Sequence, residues 1–121
     1  MTDDFQTLLA KAKVSFAKHW ESCEEADLPH TTANKDEIIT ALTKLALTVQ
    51  SLGKPTNDHS VLEAIRIFYE TIQLVNERHD GGLLETDERE LIVPYVIQIA
   101  ELAGVDPEKY DGEPGGEFRD F

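Results

Sequence analysis

From Ser60 to His79 the chain places Val61, Leu62, Ile65, Phe68, Tyr69, Ile72 and Val75 at i, i+3, i+4 and i+7 intervals. That spacing makes one continuous apolar face only if the backbone is an α-helix. At about 100° per residue these side chains fill one broad arc. Ile67 and Leu74 fall on the opposite arc, beside Glu63, Glu70 and Glu77. A helix with a full apolar face and two more apolar residues behind it is touched from two sides. The stretch is therefore expected to be the central helix of a small all-α domain.

Three further stripes support that fold class. From Asp3 to Glu25, Phe5, Leu8, Leu9, Ala12, Phe16, Trp20 and Cys23 share one side, and His19 falls within it. A histidine in such a stripe reads as a half-buried residue with a hydrogen-bond partner. The connector Asp27–Ala33 carries Pro29, which turns Leu28 away from helix. Asn34 then reads as an N-cap with Glu37 three residues on, and a second helix covers Lys35–Leu52. Gly53 supplies its left-handed end and Pro55 prevents continuation. The third helix can begin at Asn57, Asp58 or Ser60, and it ends before Asp80-Gly81-Gly82. Asn76 and His79 project toward the apolar side of its last turn, where hydrogen bonds would close the bundle end. Thr86 caps a fourth helix, Asp87–Ala103, with Asp87 and Glu88 at its positive end. Pro94 lies inside it and predicts a kink or a split.

Connections of a few residues favour antiparallel neighbours. The expectation is a four-helix antiparallel bundle with a kinked last helix, filling residues 1–110. Asp106-Pro107 opens a short turn through Tyr110. Residues 111–121 have no helical period and hold Gly112, Pro114, Gly115 and Gly116. They form a strap or a tail. Phe118 and Phe121 favour the strap, because exposed aromatic area is sticky.

Charge bounds the partners. The 121 residues carry 24 acidic and 11 basic side chains, a net charge of −13. Residues 1–79 hold 12 acids and 8 bases, a balance of −4, and residues 80–121 hold 12 and 3, a balance of −9. This field repels nucleic acid and anionic membranes and steers a basic protein inward. The single Cys23 allows no internal disulfide and fits a reducing compartment. The acidic start Met-Thr-Asp-Asp does not read as an export signal, and Leu91–Ala100 is too short and too broken to span a bilayer. A cytoplasmic location is expected.

Candidate chemistry is sparse. No Gly-x-Ser-x-Gly, phosphate-binding Gly-rich loop or dinucleotide fingerprint occurs, so no catalytic residue and no cofactor are assigned. Cys23 lies among Glu21, Glu24 and Glu25, which disfavours a thiolate. His19, His30, His59 and His79 show no His-x-x-x-His or Cys-x-x-Cys spacing, so zinc requires the fold to bring them together. Three readings follow. Glu63, Ile67, Glu70, Leu74 and Glu77 make an acid-rimmed apolar surface for a basic protein partner. Alternatively, Glu63, Glu70, Glu77 and Asp80 hold a divalent metal for an enzyme acting on a phosphorylated small molecule, with Glu70, Glu77 and Asp80 as the core ligands. The same back face could also pair two copies as a homodimer.

Thr86-Asp87-Glu88-Arg89-Glu90, Ala103-Gly104-Val105-Asp106 and Glu117-Phe118-Arg119-Asp120-Phe121 together resemble small bacterial all-α domains of unknown function. Those domains share a Thr-x-x-Arg-Glu helix start and an Ala-x-Gly-x-Asp helix end. They finish on Arg-Asp or Arg-Glu flanked by aromatics, where this chain has Phe in place of Trp. The size and acidity are also similar to bacterial immunity proteins, which neutralise a toxin by binding it. That likeness implies an inhibitor-type partner of a basic protein and transfers no residues.

Overall fold

The computed structural model describes residues 3–53 and 57–121. Four helices fold into an antiparallel bundle: α1 (Asp3–Glu25), α2 (Thr32–Ser51), α3 (Asp58–Glu77) and α4 (Thr86–Leu102). The apolar stripes close on one core in which Phe16, Trp20, Ile38, Leu42, Ile65, Tyr69, Ile72, Ile92 and Ile99 are almost wholly buried. No helix among the described residues is long and apolar enough to cross a membrane. Pro55 lies outside the described residues.

The hub is α2, not α3 as the sequence suggests. α2 packs against α1, α3 and α4, whereas α3 packs chiefly on α2 and on the C-terminal segment. The reason lies on the back of α3. Ile67 is 54% exposed and Leu74 62%, so no second helix covers that arc.

Two helix starts differ from expectation by local hydrogen bonding. Thr31, not Asn34, caps α2. Its hydroxyl accepts from the Asn34 backbone N–H, and the Asn34 side chain accepts from the Thr31 N–H, a reciprocal box one turn earlier than expected. Likewise α4 is capped at Glu85, whose backbone N–H donates to the Glu88 carboxylate at 2.9 Å. α4 runs unbroken past Pro94, which sits on the exposed side, so the helix is not split.

Residues 111–121 are a strap. Phe118 and Phe121 pack against the core, and the Phe121 ring meets Tyr69 edge-on at 5.9 Å. Gly115 has φ +77°, and a Cβ there would lie 2.5 Å from Ile65 Cγ2, so only glycine lets the strap approach α3 this closely. Arg119 pairs with Glu113 and caps the turn.

Beneath the strap the Tyr69 hydroxyl is buried with no hydrogen-bond partner among the described residues. An unsatisfied buried hydroxyl costs about 1–3 kcal/mol. Tyr69→Phe should therefore raise the unfolding free energy by about 1 kcal/mol, measured by urea denaturation. Burial, with Glu113 nearby, also raises the Tyr69 pKa far above the ordinary phenol. A raised folded pKa means stability is lost as pH climbs above about 10, where the unfolded chain's phenol ionises. The advantage of Tyr69→Phe should widen in that range.

Candidate functional site

Two places on the bundle combine exposed or reactive groups with a defined shape. The first is a groove between α2 and α3. Ala41 and Ala64 leave its floor low, and Thr40, Lys44, Ile67 and Leu74 form its walls. It holds about 620 Å³. On α2 it runs from Ala33 to Thr48, about 22 Å or four turns. Ile67 and Leu74 therefore line a surface left open to solvent.

The acids beside them are not equivalent. Arg66 donates to both Glu63 and Glu70 on its own helix, in hydrogen bonds of 2.7–3.0 Å and one shorter contact to Glu63. These interactions hold the Glu63 carboxyl below the usual carboxylate range and raise the Arg66 pKa. Arg78 donates to Glu37 at 2.8 Å and so ties α3 to α2 at one end of the groove. Glu77 is exposed and outside these pairs. Glu70, Glu77 and Asp80, the alternative metal ligands, do not converge. Glu70 is held by Arg66, and ligand-type side chains gather elsewhere among the described residues.

That gathering is the second place. His19, Cys23, His30 and Glu88 each offer a ligand atom, and the four atoms lie within 4.8 Å of one another. α1 supplies His19 and Cys23 one turn apart, the α1–α2 connector supplies His30, and the first turn of α4 supplies Glu88. His19 Nε2 hydrogen-bonds Glu88 Oε2 and lies 3.4 Å from Cys23 Sγ. His30 Nε2 stands 3.3 Å from the same Glu88 oxygen. His30, Glu88 and Cys23 are buried, and only His19 reaches solvent, with 23% of its side chain exposed.

The surrounding structure aims these groups. Glu88 Oε1 takes the Glu85 backbone N–H, which leaves Oε2 facing the histidines. Trp20 packs edge-on to both imidazoles, with centroids 5.6 Å from His19 and 4.9 Å from His30. Asn34 fixes the connector that carries His30. Its Oδ1 accepts from Trp20 Nε1 at 2.7 Å, and its Nδ2 donates to the Pro29 carbonyl at 3.0 Å. Burial pushes the Glu88 carboxyl up. Hydrogen bonds from His19 and the Glu85 amide, with the positive charge His19 and His30 can carry, outweigh that and hold it below the usual range. Burial, followed by the Glu88 and Asp87 charges, pushes the Cys23 thiol up, so Cys23 is protonated at neutral pH and is a poor nucleophile.

Sequence spacing alone does not bring these four residues together. His59 stands apart from it, and His79 reaches only its edge, 3.4 Å from Asn34 Nδ2. One signal was legible: His19 and Cys23 are spaced i, i+4 on one face, a ligand-pair spacing on a helix. No protein-family model matches the chain, and no curated protein and no solved structure is significantly similar to it.

Proposed function

We propose that the chain is a non-catalytic binding protein whose α2–α3 groove takes an amphipathic helix from a basic protein partner. The observation that carries this reading is the open apolar groove, with Ile67 and Leu74 more than half exposed two turns apart. Helix-in-groove recognition uses anchors at i, i+3 or i+4, and i+7, and a trough about four turns long accommodates them. Exposed Leu and Ile beside a trough of small residues offer the partner's anchors apolar surface to bury, at about 25 cal/mol per Å².

Charge selects the partner. Each chain carries −13, so a second copy would meet long-range repulsion, whereas a cationic protein is steered in. Asp36 lines the groove outside the ion pairs and supplies the local counterpart. An inhibitor- or immunity-type role toward a basic protein fits this surface.

The test compares capture from source-cell lysate by the wild-type chain and by Ile67→Glu/Leu74→Glu, at low and high salt. The expected result is a basic protein retained by the wild type, released by salt, and weakened at least tenfold by the double substitution. Capture untouched by that substitution overturns the groove assignment. A sedimentation mass of two wild-type chains, reduced to one by Leu74→Glu, would make the occupant a second copy and overturn the partner.

A further inference from the structure

We propose that His19, Cys23, His30 and Glu88 form a four-ligand site for a zinc-type transition-metal ion, clipping the end of α1, the α1–α2 connector and the start of α4 together. The donor set is two imidazoles, one thiol and one carboxylate. Nitrogen and sulfur donors select zinc and its neighbours over magnesium or calcium. Metal–ligand bonds of about 2.0–2.3 Å place the corners of a tetrahedron about 3.3–3.8 Å apart. The separations of 3.3 Å from His30 Nε2 to Glu88 and 3.4 Å from Cys23 Sγ to His19 Nε2 already have that edge length. The closer His19–Glu88 contact must open as the ion enters between them, and all the remaining separations are within 4.8 Å.

His30 supplies an independent observation. It is 4% exposed, and neither ring nitrogen has a hydrogen-bond partner among the described residues. The helix cap accounts for one Glu88 oxygen, and ordinary packing accounts for Cys23. Neither accounts for a buried imidazole left unsatisfied beside a carboxylate, which costs about 1–3 kcal/mol unless something binds it. Binding displaces the Cys23 thiol proton to solvent, and a divalent ion with one thiolate, one carboxylate and two neutral imidazoles then carries no net charge, so the site can stay buried. The Glu88 bond to the Glu85 amide already supplies an outer partner of the kind that orients metal ligands. Four protein ligands leave no open position for substrate, so the ion acts on stability and not on catalysis. Entry is past His19, the exposed member.

The experiment titrates the untagged full chain with cobalt(II) and then zinc(II). One cobalt per chain is expected, with the strong visible bands of a tetrahedral ion and a sulfur-to-metal charge-transfer band, both erased by zinc. Cys23→Ser should abolish the charge-transfer band. His30→Ala should weaken zinc binding by about 100-fold or more, as losing a direct ligand exceeds the 10–100-fold cost of losing an outer partner. Leu74→Glu should change nothing. Circular dichroism checks that each variant is helical. If His30→Ala does not fold, the wild-type spectrum and Cys23→Ser decide the matter. Failure of the wild type to bind either ion stoichiometrically overturns the site, as does a spectrum unchanged in Cys23→Ser, which would indicate an adventitious ion only.

Discussion

Asn76→Ala is expected to lower the unfolding free energy by about 3 kcal/mol, because two buried amides lose the acceptor they share. Asn76 sits in the last turn of α3, 8% exposed. Its Oδ1 accepts from Leu83 N–H at 3.0 Å and from Leu84 N–H at 2.8 Å. Leu83 and Leu84 are driven into the core by their side chains, at 0% and 3% exposure, and their amides go with them. In a helix or a sheet those amides would find carbonyls. In the turn between α3 and α4 the chain meets them with one side-chain oxygen. Alanine leaves both donors dry, and each unsatisfied group costs about 1–3 kcal/mol. Against a total of roughly 5–15 kcal/mol the change is large. It corresponds to about 10 °C in melting temperature for a domain of this size. Urea unfolding followed by fluorescence of the single, buried Trp20 measures it. Asn76→Asp retains the accepting oxygen and should recover part of the loss. Equal losses in the two variants would mean that the acceptor is not what holds the turn.

This residue also shows what sequence can and cannot convey. Periodicity placed Asn76 on the inner side of the last turn, and the bundle-closing role expected of it is the one it has. The four helices, the apolar stripes and the docked aromatics of the strap were legible for the same reason. Regular spacing and composition report which side of an element is apolar. Partner choice is not periodic. The arc of Ile67 and Leu74 could be read as doubly touched, but nothing local records whether a neighbour arrives, and α2 became the hub instead. His30 lies in a connector, where burial leaves no repeat to detect. Glu88 reads equally well as an acid at a helix start, and it is one. Its second oxygen acquires another role only once α1 lies alongside. The cluster is thus a tertiary fact built from residues with adequate local explanations.

Asn34→Ala should be the more damaging substitution, at about 4 kcal/mol, because it strips the side-chain hydrogen bonds to Trp20, Thr31, Pro29 and His79 from one buried place. Trp20 Nε1–H and the Thr31 N–H lose the acceptor at 2.7 and 3.0 Å, and the Pro29 carbonyl loses its donor at 3.0 Å. Trp20 is 2% exposed, so its indole N–H has no ready path to water. Thr31 keeps its own side-chain cap only if its backbone stays in place, and the reciprocal half of that box is gone. Asn34→Asp separates the contributions. It retains both accepting interactions but cannot donate to Pro29, and it buries a charge, so it too is destabilising. Ala and Asp should nevertheless differ in Trp20 emission, since only Ala frees the indole N–H. The same side chain holds the connector that presents His30. The energies of Asn34→Ala and His30→Ala should therefore depart from additivity by more than about 0.5 kcal/mol, as for residues sharing one network. Strict additivity would show that His30 takes its position from Trp20 packing alone and owes nothing to the hydrogen bonds of Asn34.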